Sequence, residues 1–261
     1  MIPLFDSNAH PTVNGKWPEK NRDARFETLA EQMQNANYYK ACAVGLLGVE
    51  GYSHEQFLAL CKSQPNMIPI AGIELSEQEK IEAVLTKLKS MGYLGIKLHP
   101  RDPKISLADP RVSSLLKCAK KLDLPLWLCT YAHSAIDQYP SSDPFYDLVN
   151  LLKQEPEAKV VLVHGGDVRL LQYSELVRFS KNLLLDLSLT IMKYKGSSID
   201  NDLKFLFAEF DRRICIGSDF PEYSLQAVRE RYEYFAKDLS QAKKENIAFR
   251  NLSNFLKLDT K

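Results

Sequence analysis

The sequence lacks a long apolar run. Nowhere do apolar residues continue for the roughly 18 to 20 positions that a membrane-spanning helix requires, and no charged segment followed by a long apolar one opens the chain. Neither a span nor a secretory leader is expected, and the chain reads as cytoplasmic. An excess of one charge is also missing, since 34 Lys and Arg against 33 Asp and Glu leave a formal net charge of +1. That balance gives no electrostatic footprint for nucleic acid or an anionic membrane, and leaves small molecules as the expected partners. Paired cysteine spacings are absent too: Cys42, Cys61, Cys118, Cys129 and Cys215 are an odd set of 5 without a Cys-x-x-Cys, against both a disulfide framework and a zinc ribbon. No glycine-rich dinucleotide fingerprint follows the first strand, and no repeat, low-complexity tract or linker divides the 261 residues. A single domain over residues 1–261 is expected, with 45% hydrophobic residues to build its core. Nothing in the sequence bears on assembly beyond the general prevalence of two-fold homodimers.

What is present is an alternation. Short apolar runs read as strands at Met1 to Pro11, Lys40 to Leu47, Asn66 to Ile73, Tyr93 to His99, Leu124 to Thr130, Ala158 to His164, Leu183 to Ser188 and Arg213 to Asp219. Helical spacing fills the intervals: Arg25 to Tyr39, a helix opened by Ser53 with His54 solvated, one opened by the capping-box pattern Ser76-Glu77-Gln78-Glu79, Asp109 to Leu122 with Pro110 at its first position, one from Asp143-Pro144, one after Gly165-Gly166-Asp167, Ser198 to Phe210, and Leu225 to Leu239. A last helix is expected near Lys243 to Leu256. Eight apolar strands each followed by a helix predict an α/β fold, a parallel (β/α)8 TIM barrel, with an open doubly wound sheet as competitor.

In such a barrel chemistry sits at the carboxyl ends of the strands, and the polar residues collect there: Asp6, Asn8 and His10 on the first strand, Lys97 and His99 on the fourth, Cys129, His164, Asp186 and Asp219 on the later ones. Strand alternation places Asp6, Asn8 and His10 on one side. They read either as caps of a strand turning into a loop or as donors to a metal.

Asp6-Ser7-Asn8-Ala9-His10-Pro11, Gly95-Ile96-Lys97-Leu98-His99-Pro100, Leu124 to Thr130, Leu162-Val163-His164-Gly165-Gly166 and Gly217-Ser218-Asp219-Phe220-Pro221 resemble, in order, the strand-end motifs of the amidohydrolase superfamily, closest to its amidohydrolase-related hydrolases and decarboxylases. Asn251 resembles that family's closing Asn. The resemblance implies a divalent metal, zinc first, that activates water for attack on a small-molecule carbonyl, amide or ester bond. It places His10 and Asp219 as ligands, with Asn8 and Cys129 standing where the family has histidines and His164 orienting water. A thiolate keeps a ligand at Cys129, whereas Asn8 offers only a neutral oxygen.

Each residue also has a plainer reading. Cys129 is either a ligand or a buried thiol. Lys97 is either a catalytic partner of the substrate or an internal ion pair with Asp219 or Asp6. His99 and Arg101 either touch an anionic substrate or belong to the loop surface. Asp186 reads as a structural acceptor inside the barrel, and His133 is a candidate for the missing imidazole. Two function classes follow: a metal-dependent hydrolase, with decarboxylation open to the same site, or a metal-free barrel that binds a small molecule or reacts through Lys97, His164 and Asp219.

Overall fold

The computed structural model describes residues 1–18, 21–75, 80–101, 105–131 and 142–259. Eight parallel strands run in sequence order: β1 (Leu4–Ala9), β2 (Tyr38–Val44), β3 (Met67–Ile73), β4 (Gly95–Leu98), β5 (Leu126–Cys129), β6 (Val160–Val163), β7 (Leu183–Asp186) and β8 (Ile214–Cys215). The sheet closes because the chain after β8 returns to β1. Ser7 donates its backbone N–H to the Ile216 carbonyl at 2.9 Å, Asp219 to Asn8 at 2.8 Å and His10 to Phe220 at 2.8 Å. The fold is the expected (β/α)8 barrel.

Around it lie α1 (Phe26–Asn35), α2 (His54–Ser63), α3 (Ile81–Met91), α4 (Pro110–Lys121), α5 (Pro144–Gln154), α6 (Leu170–Arg178), the single turn α7 (Thr190–Lys193), α8 (Ile199–Glu209), α9 (Leu225–Ala236), α10 (Gln241–Glu245) and α11 (Asn251–Phe255). Ser53, Asp109 and Asp143 start helices as read, and Ser224 does the same for α9: each side chain accepts a backbone N–H of the first turn. The capping box at 76–79 lies outside the described residues.

Alternate strand positions feed two cores. Phe5, Cys42, Ile70, Trp127, Val161 and Leu184 fill the barrel, while Leu4, Ala41, Ile96, Leu126 and Leu162 face the helices.

Two expectations need correction. The first helix stops at Asn35, because Asn37 takes the left-handed conformation (φ 53°) and the next residue, Tyr38, begins β2. His54 is half-buried, its Nε2 on the Gly72 carbonyl at 2.9 Å and its ring against Tyr93. The last helix is as expected: α10 continues through a π-helical stretch at Asn246–Arg250 into α11, and Asn251 donates to the Asp211 and Ile214 carbonyls at 2.6 and 2.8 Å.

A third correction concerns β1. Its register slips between Asp6 and Ala9, so strict alternation fails there and Asp6 parts from Asn8 and His10. The Asp6 carboxyl instead accepts the N–H groups of Asn8 and Ser218, at 3.1 and 2.9 Å, and the Ser218 hydroxyl, tying β1 to the segment after β8.

Burial pushes the Asp6 carboxyl up to about 7, against the opposing pull of the Ser218 hydroxyl and of the two backbone N–H groups. A raised carboxyl takes up a proton on folding, so its stabilising contribution is fully present below the unfolded pKa and is lost as pH rises toward 7. Asp6→Asn keeps the acceptor oxygen and supplies a fixed donor to Ser218. Thermal melts from pH 4 to 8 are expected to show a decline in the wild type, on the order of 2–4 kcal/mol from this group, that is missing in the variant. Parallel profiles would contradict the assignment.

Candidate active site

The C-terminal mouth of the barrel gathers a cluster of buried polar side chains: Asn8, His10, Lys97, His164, Asp186, Ser188 and Asp219 are all nine-tenths or more buried. Two of them occupy left-handed backbone, His164 with φ 69° and Asp219 with φ 55°. Such a conformation costs a non-glycine residue on the order of 1 kcal/mol or more and persists where the surroundings over-determine it. Here hydrogen bonds fix both turns. Asp186 Oδ1 accepts the His164 N–H at 3.1 Å, Thr190 Oγ1 donates to the His164 carbonyl at 2.6 Å, and Asp219 donates its N–H to β1. Gly166 follows with φ 80°, and a Cβ there would fall 2.1 Å from the Tyr173 ring.

Asn8 holds the centre together. Its Nδ2 donates to Asp219 Oδ1 at 2.9 Å and to Ser188 Oγ at 3.3 Å, and its Oδ1 accepts from Lys97 Nζ at 3.1 Å. Lys97 therefore reaches Asp219 through an amide. Neither alternative of a direct pair with Asp6 or Asp219 is realised among the described residues. Asp186 is the structural acceptor expected, binding the Ser7 and Ser188 hydroxyls and the backbone of His164 and Ser188.

Both mouth histidines are oriented by carbonyl groups. His10 Nδ1 faces the Val44 carbonyl at 3.1 Å, and His164 Nδ1 faces the Ser188 carbonyl at 3.0 Å. A carbonyl only accepts, so each Nδ1 carries a hydrogen, which leaves the Nε2 of His10 to Asp219 and the Nε2 of His164 to Cys129. His10 Nε2 lies 3.5 Å from Asp219 Oδ1.

Burial pulls the His10 imidazole below its ordinary value despite its bond to Asp219. His164 moves the other way: burial opposes its charge, but Asp219 and the neighbouring Cys129 outweigh that and raise it. Asp219 is held far below the usual carboxylate range although burial would raise it, chiefly by the charge of His164 and then by His10 and Lys97. Cys129 is likewise driven well below an ordinary thiol: burial would raise it, and the His99 and His164 imidazoles more than compensate. His99 and Cys129 thus share one corner. Arg101 stacks over Tyr131 at 4.7 Å, Lys193 lies 4.5 Å from the same ring and donates to its hydroxyl at 2.8 Å, and Tyr131 meets His164 edge-on at 6.0 Å. Trp17 lies 6.0 Å from His10, on a strap that Arg22 fastens to the Pro221 carbonyl at 3.0 Å. His133 falls outside the described residues.

The donors for the implied divalent ion can be tested on this geometry. His10 and Asp219 fit. Asn8 does not, because its oxygen already faces an ammonium, which has no lone pair to ligate and repels a cation. Cys129 is engaged with two imidazoles, and among the described residues no three His, Cys, Asp or Glu side chains form a group that could hold a metal. The residues present do not fit the four-ligand centre.

Sequence reading missed Ser188, which joins Asn8, His164 and Asp186, and also missed Lys193, the partner of the Tyr131 hydroxyl. Ser188 ends the run Leu183 to Ser188 two places after Asp186, and that strand-end position was the available signal.

A protein-family model for amidohydrolases, of the amidohydrolase-2 type, matches residues 14–251. The chain belongs to the amidohydrolase family. This family includes hydrolases and decarboxylases and is typically metal-dependent. A comparison with the curated proteins finds no match. Solved structures share the fold at low identity. An uncharacterised TIM-barrel protein of Bordetella bronchiseptica has TM-score 0.79 and 17% identity over 98% of this chain and 99% of its own. A protein assigned as 2-pyrone-4,6-dicarboxylic acid hydrolase from Pseudomonas putida has TM-score 0.71 and 16% identity over 100% of both chains. The 2,6-dihydroxybenzoate decarboxylase from Rhizobium has TM-score 0.70 and 13% identity over 100% of both. Among the described residues no helix of this amidohydrolase is long and apolar enough to cross a membrane.

The Cys129 corner makes a spectroscopic prediction. Thiolate absorbance near 240 nm is expected to show one cysteine ionising below the ordinary thiol value of about 8.5. The signal should vanish in Cys129→Ala and shift to higher pH in His99→Ala. A wild type without a thiolate below pH 8 would contradict the pairing.

Proposed function

We propose that this amidohydrolase hydrolyses a carbonyl-centred bond, ester, lactone or amide, in a small molecule of the cytoplasm, with His10 as the proton acceptor, Asp219 as the anion that orients it and His164 as the proton donor. The observation that carries the reading is the 3.5 Å gap between His10 Nε2 and Asp219 Oδ1. Neutral His10 and the Asp219 carboxylate both present acceptors there, so a water seated beside the pair can donate a hydrogen to each. Water bound at that point gives its proton to His10 as its oxygen bonds to the carbonyl carbon. The carbonyl π pair moves onto oxygen, returns as the bond to the leaving group breaks, and His164 protonates the leaving group. Asp219 stabilises the imidazolium that forms at His10, while its own low basicity suits an anchor better than a base. Lys97 supplies fixed positive charge within this group, and His99 and Arg101 border it on the side of Cys129 and Tyr131.

Water activated by zinc is the route the family resemblance implies, with His10, Asp219 and Cys129 as its ligands. The present donor set favours proton transfer to His10 instead. Decarboxylation is a second reading, supported by the same two imidazoles, one of which could protonate the carbon as carbon dioxide leaves. The named decarboxylase among the structural neighbours also supports it.

A screen of small esters, lactones, amides and aromatic acids, read by acid release and by carbon dioxide, tests both. On any substrate found, Asp219→Asn and His10→Ala are each expected to lower kcat/KM by about 10²–10⁴. The pH profile of kcat/KM should be bell-shaped, rising as His10 loses its proton below the ordinary imidazole value and falling as His164 loses its own above it. A profile unchanged in His10→Ala would contradict the assignment.

A further inference from the structure

Lys97 stands out among the buried side chains of the mouth. It is 3% exposed, it projects from β4 into the group formed by Asn8, His10 and Asp219, and its ammonium carries three N–H donors. One of them is used on Asn8 Oδ1 at 3.1 Å, and no carboxylate of the described residues forms an ion pair with it. Asp219 balances its charge only through the Asn8 amide, so a buried ammonium with N–H donors to spare is suited to an anion in direct contact.

The orientation of Asn8 is not arbitrary. Its amide nitrogen must face the two acceptors Asp219 Oδ1 and Ser188 Oγ, so its oxygen has to face Lys97. Asn8 is therefore the holder that keeps the ammonium at the centre. It stands in the position where the family resemblance calls for a metal-binding imidazole. A neutral imidazole there has one N–H donor and one acceptor, so it could not donate to both Asp219 and Ser188 while accepting from Lys97.

We infer that Lys97, held by Asn8, takes the place of the divalent ion: the barrel works without a metal, and the ammonium binds the anionic oxygen of a carboxylate-bearing substrate or of the reacting carbonyl as it gains charge. The inference rests on the hydrolase reading only for the position of the site. In the hydrolytic step the pair displaced from the carbonyl comes to rest on an oxygen beside Lys97 Nζ, and no further reactant is needed. The same charge would hold a substrate carboxylate in the ground state.

The test uses metal and anion alone. Protein stripped with dipicolinate is titrated with zinc chloride by calorimetry, its metal content measured beforehand by plasma mass spectrometry and its folding checked by circular dichroism. Wild type is expected to arrive without a stoichiometric divalent metal and to take up none at the mouth. The Asn8→His/Lys97→Met double variant should take up one equivalent, at least about 10-fold more tightly than wild type, and lose it when His10→Ala is added. Malonate should raise the melting temperature of wild type, an effect lost in Lys97→Met. One equivalent of zinc in wild type that His10→Ala removes would overturn the inference. A folded double variant that takes none would do the same, as would a malonate effect that is absent in wild type or unchanged in Lys97→Met. None of these readouts uses turnover, so their failure leaves the hydrolase reading standing, and a metal-free protein that binds malonate but turns over no substrate would sink that reading alone.

Discussion

One side-chain amide organises the mouth of this barrel. Asn8 lies between the ammonium of Lys97 and the carboxylate of Asp219, and its two polar atoms have opposite roles, so it can satisfy a cation and an anion that do not touch. The arrangement depends on barrel closure. Asp219 donates its N–H to the Asn8 carbonyl, Ser7 reaches Ile216, and Asp6 receives the N–H of Ser218, so β1 and the segment after β8 are fixed before either side chain meets its partner. The slip of register in β1 is part of the same design. It turns Asp6 to the closure and leaves Asn8 and His10 to the mouth.

Around that amide the ionisable groups separate by environment. Burial would neutralise every one of them, and what decides each state is its partner. His10 is buried against a carbonyl and stays neutral more readily than in water, whereas His164, near Asp219 and Cys129, holds its proton. Two imidazoles at one mouth shifted in opposite directions suit the roles of acceptor and donor that acid–base hydrolysis requires. The left-handed turns at His164 and Asp219 aim these side chains, and their cost is offset by the hydrogen bonds that fix the turns.

The fold was legible in the sequence because each strand carries its own apolar run and each helix a polar start, both local properties. The candidate site was legible in part. His10, Lys97, His164 and Asp219 lie at strand ends, and strand ends converge in any parallel barrel. Contacts across the barrel were not legible: Ser188 with Asn8, Cys129 with His99, and Lys193 with Tyr131 are set by which strands end level with one another, and no short-range pattern records that. The inward turn of Asp6 failed for a different reason. Period-two alternation assumes an unbroken ladder, and β1 has a slip inside its motif. Replacement of an imidazole by Asn8 looked in sequence like the loss of a ligand, and the structure shows an amide with its own partners.

The account turns on what occupies the space between His10, Asn8 and Asp219. Anomalous diffraction at the zinc edge, from crystals grown and soaked with excess zinc, addresses it directly. The account predicts no anomalous peak at the barrel mouth and density for the Lys97 ammonium within hydrogen-bond distance of Asn8 Oδ1. A peak bridging His10 Nε2 and Asp219, with Lys97 swung away from Asn8, would contradict it and restore the metal-dependent reading.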